Sequence, residues 1–354
     1  MNLVNRQILE EYRKTEKDFR LLEQIVVEKL QGIVDGSGMR TFAIQSRIKS
    51  EESLAGKLVR KEGWYNQLSD LRDLVGARVI CYFSDDVDRV GRLIEQVFEV
   101  DEDASTDKRE LISASAFGYL SLHYICRLPQ GEGYPPELRE WCFEIQIRTL
   151  LQHVWSDVDH DIGYKAEFGM PRDAVRGFAR ISALLELADD EFVRVRNLMS
   201  DYTSSVRTSI MEDTADDVRL DVVSLCEYVR LNKPMRELLE RMAVAANAQV
   251  EEYRPAAYVE QLEWLGITTI GGLSRMLAQN ADMAVRLLED ALEDTDLDII
   301  SSSTGLRYLC HAEICRRGME EESVAEFLAL SLRKPDRAHV RAKQLLETYA
   351  RLCE

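Results

Sequence analysis

No stretch of the 354 residues approaches the roughly 20 consecutive apolar positions that a membrane-spanning helix needs. Even the apolar run ISALLELA after Arg180 is closed by Asp189 and Asp190. An integral membrane protein is excluded. The amino terminus, MNLVNRQILEEYRKTEKDFR, has neither the apolar core nor the small-residue cleavage site of a secretory signal. Positive charge is also in short supply: 45 Lys and Arg face 63 Asp and Glu, a net charge of −18. A chain with that field is no general binder of duplex DNA or of anionic membrane, because phosphate affinity comes from basic side chains. The cysteines, seven in number and without a Cys-x-x-Cys pair, include Cys81, Cys126 and Cys142 in apolar contexts. They read as reduced core thiols, and a cytoplasmic location is expected. There is no internal repeat and no low-complexity tract.

What remains is ordinary globular composition, 45% hydrophobic and 31% charged, long enough for two domains. Ile8, Tyr12, Phe19, Leu22, Val26 and Leu30 recur at helical steps among charges, predicting a helix over 6–30 that the segment GIVDGSG (32–38) stops. SEESLAGKLVRKE (50–62) opens with serine and acids, the start signal of a second helix. Strands are predicted for 75–83, 120–128 and 141–148, with a helix over 86–98 between the first two. After Thr149 nearly every segment has helical periodicity. The chain is thus divided at about residue 200, into an α/β (α+β) part with a mixed sheet flanked by helices and an all-helical part over 201–354. In residues 171–200 an apolar stripe that includes Phe178, Ile181, Leu184, Leu187 and Phe192 is expected to pack into the core, a subunit contact being the other reading.

Two strands are polar on one side. Alternation puts Tyr119, Ser121 and His123 on one face and Leu120, Leu122 and Tyr124 on the other. In WCFEIQIRT it turns Trp141, Phe143, Ile145 and Ile147 inward and leaves Glu144, Gln146 and Arg148 together opposite. A solvated sheet face would look the same. Residues 40–80, however, hold Arg40, Arg47, Lys49, Lys57, Arg60, Lys61, Arg72 and Arg78 against five acids, a basic cluster in an acidic chain that suggests a bound anion. Asp73 lies between Arg72 and Arg78, either as their ion-pair partner or as a ligand for a hard cation such as Mg²⁺. Basic side chains with one or two carboxylates are the equipment of phosphoryl transfer. On the segment 149–165, His153, Asp157, His160, Asp161 and Tyr164 share a helix face, a weak zinc pattern that lacks a distal ligand.

Four blocks in order, RIKSEES (47–53), LRDLVGARVICYF (71–83), FGYLSLHYI (117–125) and FEIQIRTLLQHVWSDVDHDIGYK (143–165), resemble the motifs of the RelA/SpoT-homology alarmone synthetases. The resemblance covers about residues 15–200 and implies a nucleotidyltransferase-like fold, in a synthetase-only member with an additional helical region. It implies Mg²⁺-dependent transfer of pyrophosphate from ATP to the 3′-hydroxyl of GTP or GDP, giving (p)ppGpp and AMP. Carried over by position, Arg47 and Arg78 would stack on the adenine of ATP, and Lys49 and Lys57 would contact its phosphates. Asp73 and Glu144 would hold the metal, with Glu144 also the general base. Tyr119 would stack on the acceptor base, and His123, Lys108 and Arg109 would meet its phosphates or ribose. Gln146 and Arg148 would support Glu144.

In place of the family's lysine-rich loop before the GYxSLH block this chain has SASAF. The acceptor is therefore ranked as guanine nucleotide, then adenine nucleotide, then the 3′ end of tRNA, the substrate of toxin-like relatives. A catalytically silent nucleotide sensor is the remaining alternative, although a sensor needs neither base nor metal ligand. The helical half, with seven acids and one arginine over 281–304, is suited to a protein partner or a second copy of the chain rather than to RNA. Both carboxylates are expected on a solvent-filled cleft, where neutral substitutions leave stability untouched.

Overall fold

The computed structural model describes residues 2–107, 121–131, 133–164, 171–253, 255–292, 298–330 and 335–354. The chain forms two compact units, Met1–Arg196 and Asn197–Glu354.

The first unit opens with α1 (Leu3–Ser37), capped by the Asn2 side chain. The helix runs through Gly32 and Gly36, where the sequence reading ended it. It stops only at Gly38, whose φ of 68° is the left-handed geometry that glycine adopts without penalty. Then come β1 (Thr41–Ile48), α2 (Glu51–Arg60), β2 (Val75–Cys81), α3 (Ser84–Val97), β3 (Glu99–Val100), β4 (Thr106–Asp107), β5 (Leu122–Arg127), α4 (Pro136–Arg139), β6 (Phe143–Thr149), α5 (Leu150–Tyr164) and α6 (Arg172–Met211), whose last turns belong to the second unit. Ser50 caps α2 by accepting from the Ser53 N–H, with Glu51 and Glu52 in the first turn, as the sequence signal required.

The sheet order is β1-β2-β6-β5-β3, with β4 also on β5; β2 and β6 run parallel and the other pairs antiparallel. This is the expected mixed sheet flanked by helices, with three strands more than the sequence predicts: β1, whose residues carry part of the basic cluster, and the two-residue β3 and β4. One face is apolar and buries Val79, Phe143, Ile145 and Ile147 with Phe19, Leu22 and Val26 of α1 and Val90 and Ile94 of α3. Phe19 is wholly buried, its ring 5.6 Å from Tyr12 and 5.1 Å from Trp141. Phe19→Ala is expected to cost about 3–5 kcal/mol, the usual loss for truncating a buried aromatic. A lowered urea midpoint at unchanged slope would register it, and a loss under about 1 kcal/mol would mean that the α1–sheet contact collapses without a cavity.

Most of the apolar stripe of α6 is not core: Ile181, Leu184, Leu187 and Phe192 are about half exposed or more, while Phe178 is half-buried with its ring 6.2 Å from Trp155. The helix instead buries Ser182 and Asp189, because Thr149 at the end of β6 donates to the Asp189 carboxylate at 2.7 Å and so fixes which side faces inward.

The second unit contains α7 (Val222–Leu231), α8 (Lys233–Ala246), β7 (Gln249–Glu251), α9 (Ala257–Trp264), α10 (Ile270–Leu292), β8 (Ile299–Ser301), α11 (Thr304–Arg316), α12 (Glu321–Ala329) and α13 (Ala338–Cys353). Its core includes Leu225, Tyr228, Met235, Leu273, Leu309 and Phe327. The reading of this half as wholly helical is corrected by β7 and β8, a parallel pair too short to leave a periodic pattern. Among the described residues no helix is long and apolar enough to cross a membrane. None of the seven cysteines is joined in a disulfide, and Cys81, Cys126 and Cys142 are buried.

Candidate active site

The other face of the sheet is polar, and strand register arranges it. Gln45 of β1 stands opposite Arg78 of β2, Arg78 opposite Gln146 of β6, and Gln146 opposite His123 of β5. One step along, Arg47 is opposite Gly76 and Gly76 opposite Glu144, so no side chain of β2 separates Arg47 from Glu144. Gln45, Ser46, Arg47, Gly76, Arg78, Glu144 and Gln146 line a cleft there.

Both carboxylates predicted for the site are held by partners. Asp73, just before β2, accepts from Lys57 Nζ of α2 at 2.7 Å and pairs with Lys49 Nζ at 2.9 Å. Lys49 is itself fixed where β1 ends: its N–H donates to the Leu74 carbonyl, and its own carbonyl accepts from the Tyr12 hydroxyl. Burial pushes the Asp73 carboxyl up, but the hydrogen bonds and charges of Lys57 and Lys49 outweigh it and hold the group below the ordinary aspartate range. The ion pairs considered from sequence, with Arg72 or Arg78, are replaced by these lysine contacts, which sequence distance concealed. Asp73 is accordingly a paired, three-quarters buried group and does not stand free in a solvent-filled cleft.

Glu144 is fixed at both oxygens. Its Oε1 lies 2.8 Å from His123 Nδ1, and its Oε2 accepts from Gln146 Nε2 at 3.0 Å. Burial pushes its carboxyl up, the hydrogen bonds from His123 and Gln146 pull it down, and the nearby Asp73 charge pushes up again; the net position is below the ordinary range. The two carboxylates therefore share one electrostatic basin. That fits a Mg²⁺ site, since this ion is commonly held by one or two carboxylates together with substrate phosphates.

Gln146 Oε1 in turn accepts from Arg78 Nε at 3.2 Å and from Arg148 Nη2 at 3.1 Å. Arg148 is 3% exposed. Burial, with the charges of Arg78 and Arg47, pushes it down to about 10. Burial and the Arg47 charge likewise lower Arg78. A crowd of guanidinium groups that depress one another is built to receive an anion or a π-face. Two residues outside the predicted set belong here: Asp157 Oδ1 of α5 is 3.9 Å from Arg78, and His153 is 3.6 Å from Asp157. Their spacing on the α5 face was visible in the sequence but was read as a zinc pattern. Among the described residues, no three His, Cys, Asp or Glu side chains are grouped to hold a metal.

The structure thus brings together Arg47, Lys49, Lys57, Asp73, Arg78, His123, Glu144, Gln146 and Arg148. Lys108, Arg109 and Tyr119, expected at the acceptor, lie outside the described residues, as does the side chain of Tyr164.

A mixed sheet whose polar face combines paired carboxylates with lysines and arginines defines a phosphoryl-transfer type of site. Residues 46–168 match the family model described as a region found in RelA / SpoT proteins. The chain is 27% identical over 158 residues to GTP pyrophosphokinase YjbM of Bacillus subtilis, covering 43% of this chain and 71% of the relative. It is 28% identical over 160 residues to GTP pyrophosphokinase YwaC of the same organism, covering 43% and 72%. Small alarmone synthetase 1 from Bacillus subtilis superposes with a TM-score of 0.47 at 23% identity, over 54% of this chain and 99% of that one. The part of the chain that builds the site is thus similar to the region found in RelA / SpoT proteins.

Proposed function

We propose that the protein is a pyrophosphokinase that transfers the β,γ-diphosphate of ATP to the 3′-hydroxyl of a guanine nucleotide, releasing AMP. The observation that carries the reading is the joint placement of Asp73, bonded to Lys49 and Lys57, and Glu144, bonded to His123 and Gln146, beside Arg47 and Arg78. Arg47 and Arg78 hold the adenine by stacking. Lys49 and Lys57 exchange Asp73 for the donor phosphates. The 3′-oxygen bonds to the β-phosphorus, the bond from that phosphorus to the α,β-bridging oxygen breaks, AMP leaves with the bridging oxygen, and Glu144 takes the hydroxyl proton. Asp73 and Glu144 would hold Mg²⁺, which when bound neutralises charge on the transferring phosphoryl oxygens. Tyr119, Lys108 and Arg109 serve the acceptor, and His123, whose Nδ1 meets Glu144, acts there through that carboxylate.

The test supplies ATP labelled on the β-phosphate, with Mg²⁺ and with GTP, GDP, ATP, ADP or deacylated tRNA separately. Label is expected in GTP and GDP, in step with AMP. Label in tRNA alone would overturn the small-molecule acceptor, and no label in any of them would favour a silent sensor. Chelation of Mg²⁺ is expected to stop transfer.

A further inference from the structure

We infer that Ser121, to which no role has been given so far, is a positioning residue for this reaction: its hydroxyl selects the histidine tautomer that holds the base Glu144. The inference rests on the proposed transfer, with Glu144 as base. Ser121 directly precedes β5 and is 8% exposed, on the same strand face as His123 two residues on. Its Oγ lies 2.6 Å from His123 Nε2, while His123 Nδ1 lies 2.8 Å from Glu144 Oε1. Register explains how one ring reaches both. Glu144 is opposite Ile125 and Gln146 opposite His123, so Glu144 lies toward one end of the imidazole and Ser121 toward the other.

Donor and acceptor roles follow from chemistry. Glu144, as the base, is a carboxylate and can only accept, so the His123 Nδ1 that lies 2.8 Å from its Oε1 must carry the hydrogen. In the neutral ring Nε2 then bears a lone pair, and the group facing it must donate. Ser121 can donate, and no other hydrogen-bonding partner of Nε2 is found among the described residues. In the opposite tautomer Nδ1 and the carboxylate would face each other as two acceptors, and the hold on Oε1 would be lost. With Gln146 on Oε2, the hydroxyl thus closes a line of hydrogen bonds that fixes both carboxylate oxygens. Groups that orient a reacting group through an intermediate partner commonly cost about 10- to 100-fold in activity when removed.

Three full-length proteins test this: wild type, Ser121→Ala and Ser121→Thr. Ser121→Ala is expected to lower kcat about 10- to 100-fold with the KM for ATP within about twofold, because orientation of the base is lost while donor binding is kept. Ser121→Thr, which retains a hydroxyl, is expected to recover most of kcat. In ¹⁵N-histidine-labelled protein, a chain with five histidines, the His123 ring of the wild type is expected to carry hydrogen on Nδ1 and none on Nε2, and Ser121→Ala to shift that population. An Nε2-protonated neutral ring in the wild type, an unchanged kcat in Ser121→Ala, or Ser121→Thr no better than Ser121→Ala would each overturn the inference. A wild type that releases no AMP with any acceptor would sink the functional reading instead, and the ring-nitrogen shifts would then decide the tautomer assignment by themselves.

Discussion

Glu144→Gln is expected to reduce AMP release by about 10²- to 10⁴-fold, the range for loss of a positioned general base. The amide is nearly isosteric with the acid and its oxygen can still accept from Gln146 or His123, so the β5–β6 pairing and the far-ultraviolet circular dichroism should be unchanged. ATP binding measured by calorimetry should also be retained, since Arg47 and Arg78 are not altered. The pH dependence has a definite sign. A base held below its ordinary value stays ionised until acid, so the acidic limb of kcat/KM belonging to Glu144 in the free enzyme should fall below the ordinary glutamate value of 4.5. A loss under tenfold would assign Glu144 a structural role.

Asp73→Asn should have a comparable kinetic effect and a second, thermodynamic one. Loss of a charge contact made in the transition state commonly costs about 10²- to 10³-fold. Lys49 and Lys57 also lose their shared counter-charge, and both are largely buried, at 13% and 20% side-chain exposure. Hydrogen bonds to charged groups contribute about 1.5–3 kcal/mol each, so a net destabilisation of about 1–3 kcal/mol is expected after the lysines turn toward water. Because the folded carboxyl sits below its ordinary value, its contribution is complete above the unfolded aspartate value and lost as pH falls through the folded one. Urea titrations near neutrality should therefore separate variant from wild type, and the gap should close in strong acid. A full-sized gap persisting there would mean that the lost stability comes from packing and not from charge.

The two polar strand segments were legible because alternation is a strict geometric consequence of β structure. Phe143, Ile145 and Ile147 had to be buried once Glu144 and Gln146 faced the other way, and they are. β1 was not legible because an edge strand buries little: Phe42, Gln45, Ser46 and Arg47 are all exposed, and no apolar period survives. The partners of Asp73 were misjudged for another reason. Arg72 and Arg78 are near in sequence, whereas Lys49 and Lys57 arrive from β1 and α2 through pairing that no local pattern encodes. The α6 stripe shows the limit of periodicity, which identifies an apolar face but not whether the chain covers it. The tie from Thr149 to Asp189 decided that face.

The register that lines up Gln45, Arg78, Gln146 and His123 makes the sheet a fixed ruler. Neighbouring strands are about 4.8 Å apart, so four in a row set a span of about 14 Å between donor-side and acceptor-side groups that no side-chain rotation can lengthen. Such a ruler tolerates substitution better than a change of length. Deleting a single residue within β2 or β6 slips the register by one and turns every later side chain of that strand to the opposite face, burying arginine or glutamate in the core and presenting valine or isoleucine to the nucleotide. Length changes between related chains should therefore gather in the connections after β4 and before β6, while the central strands keep their residue count even where almost every side chain on the apolar face has been exchanged.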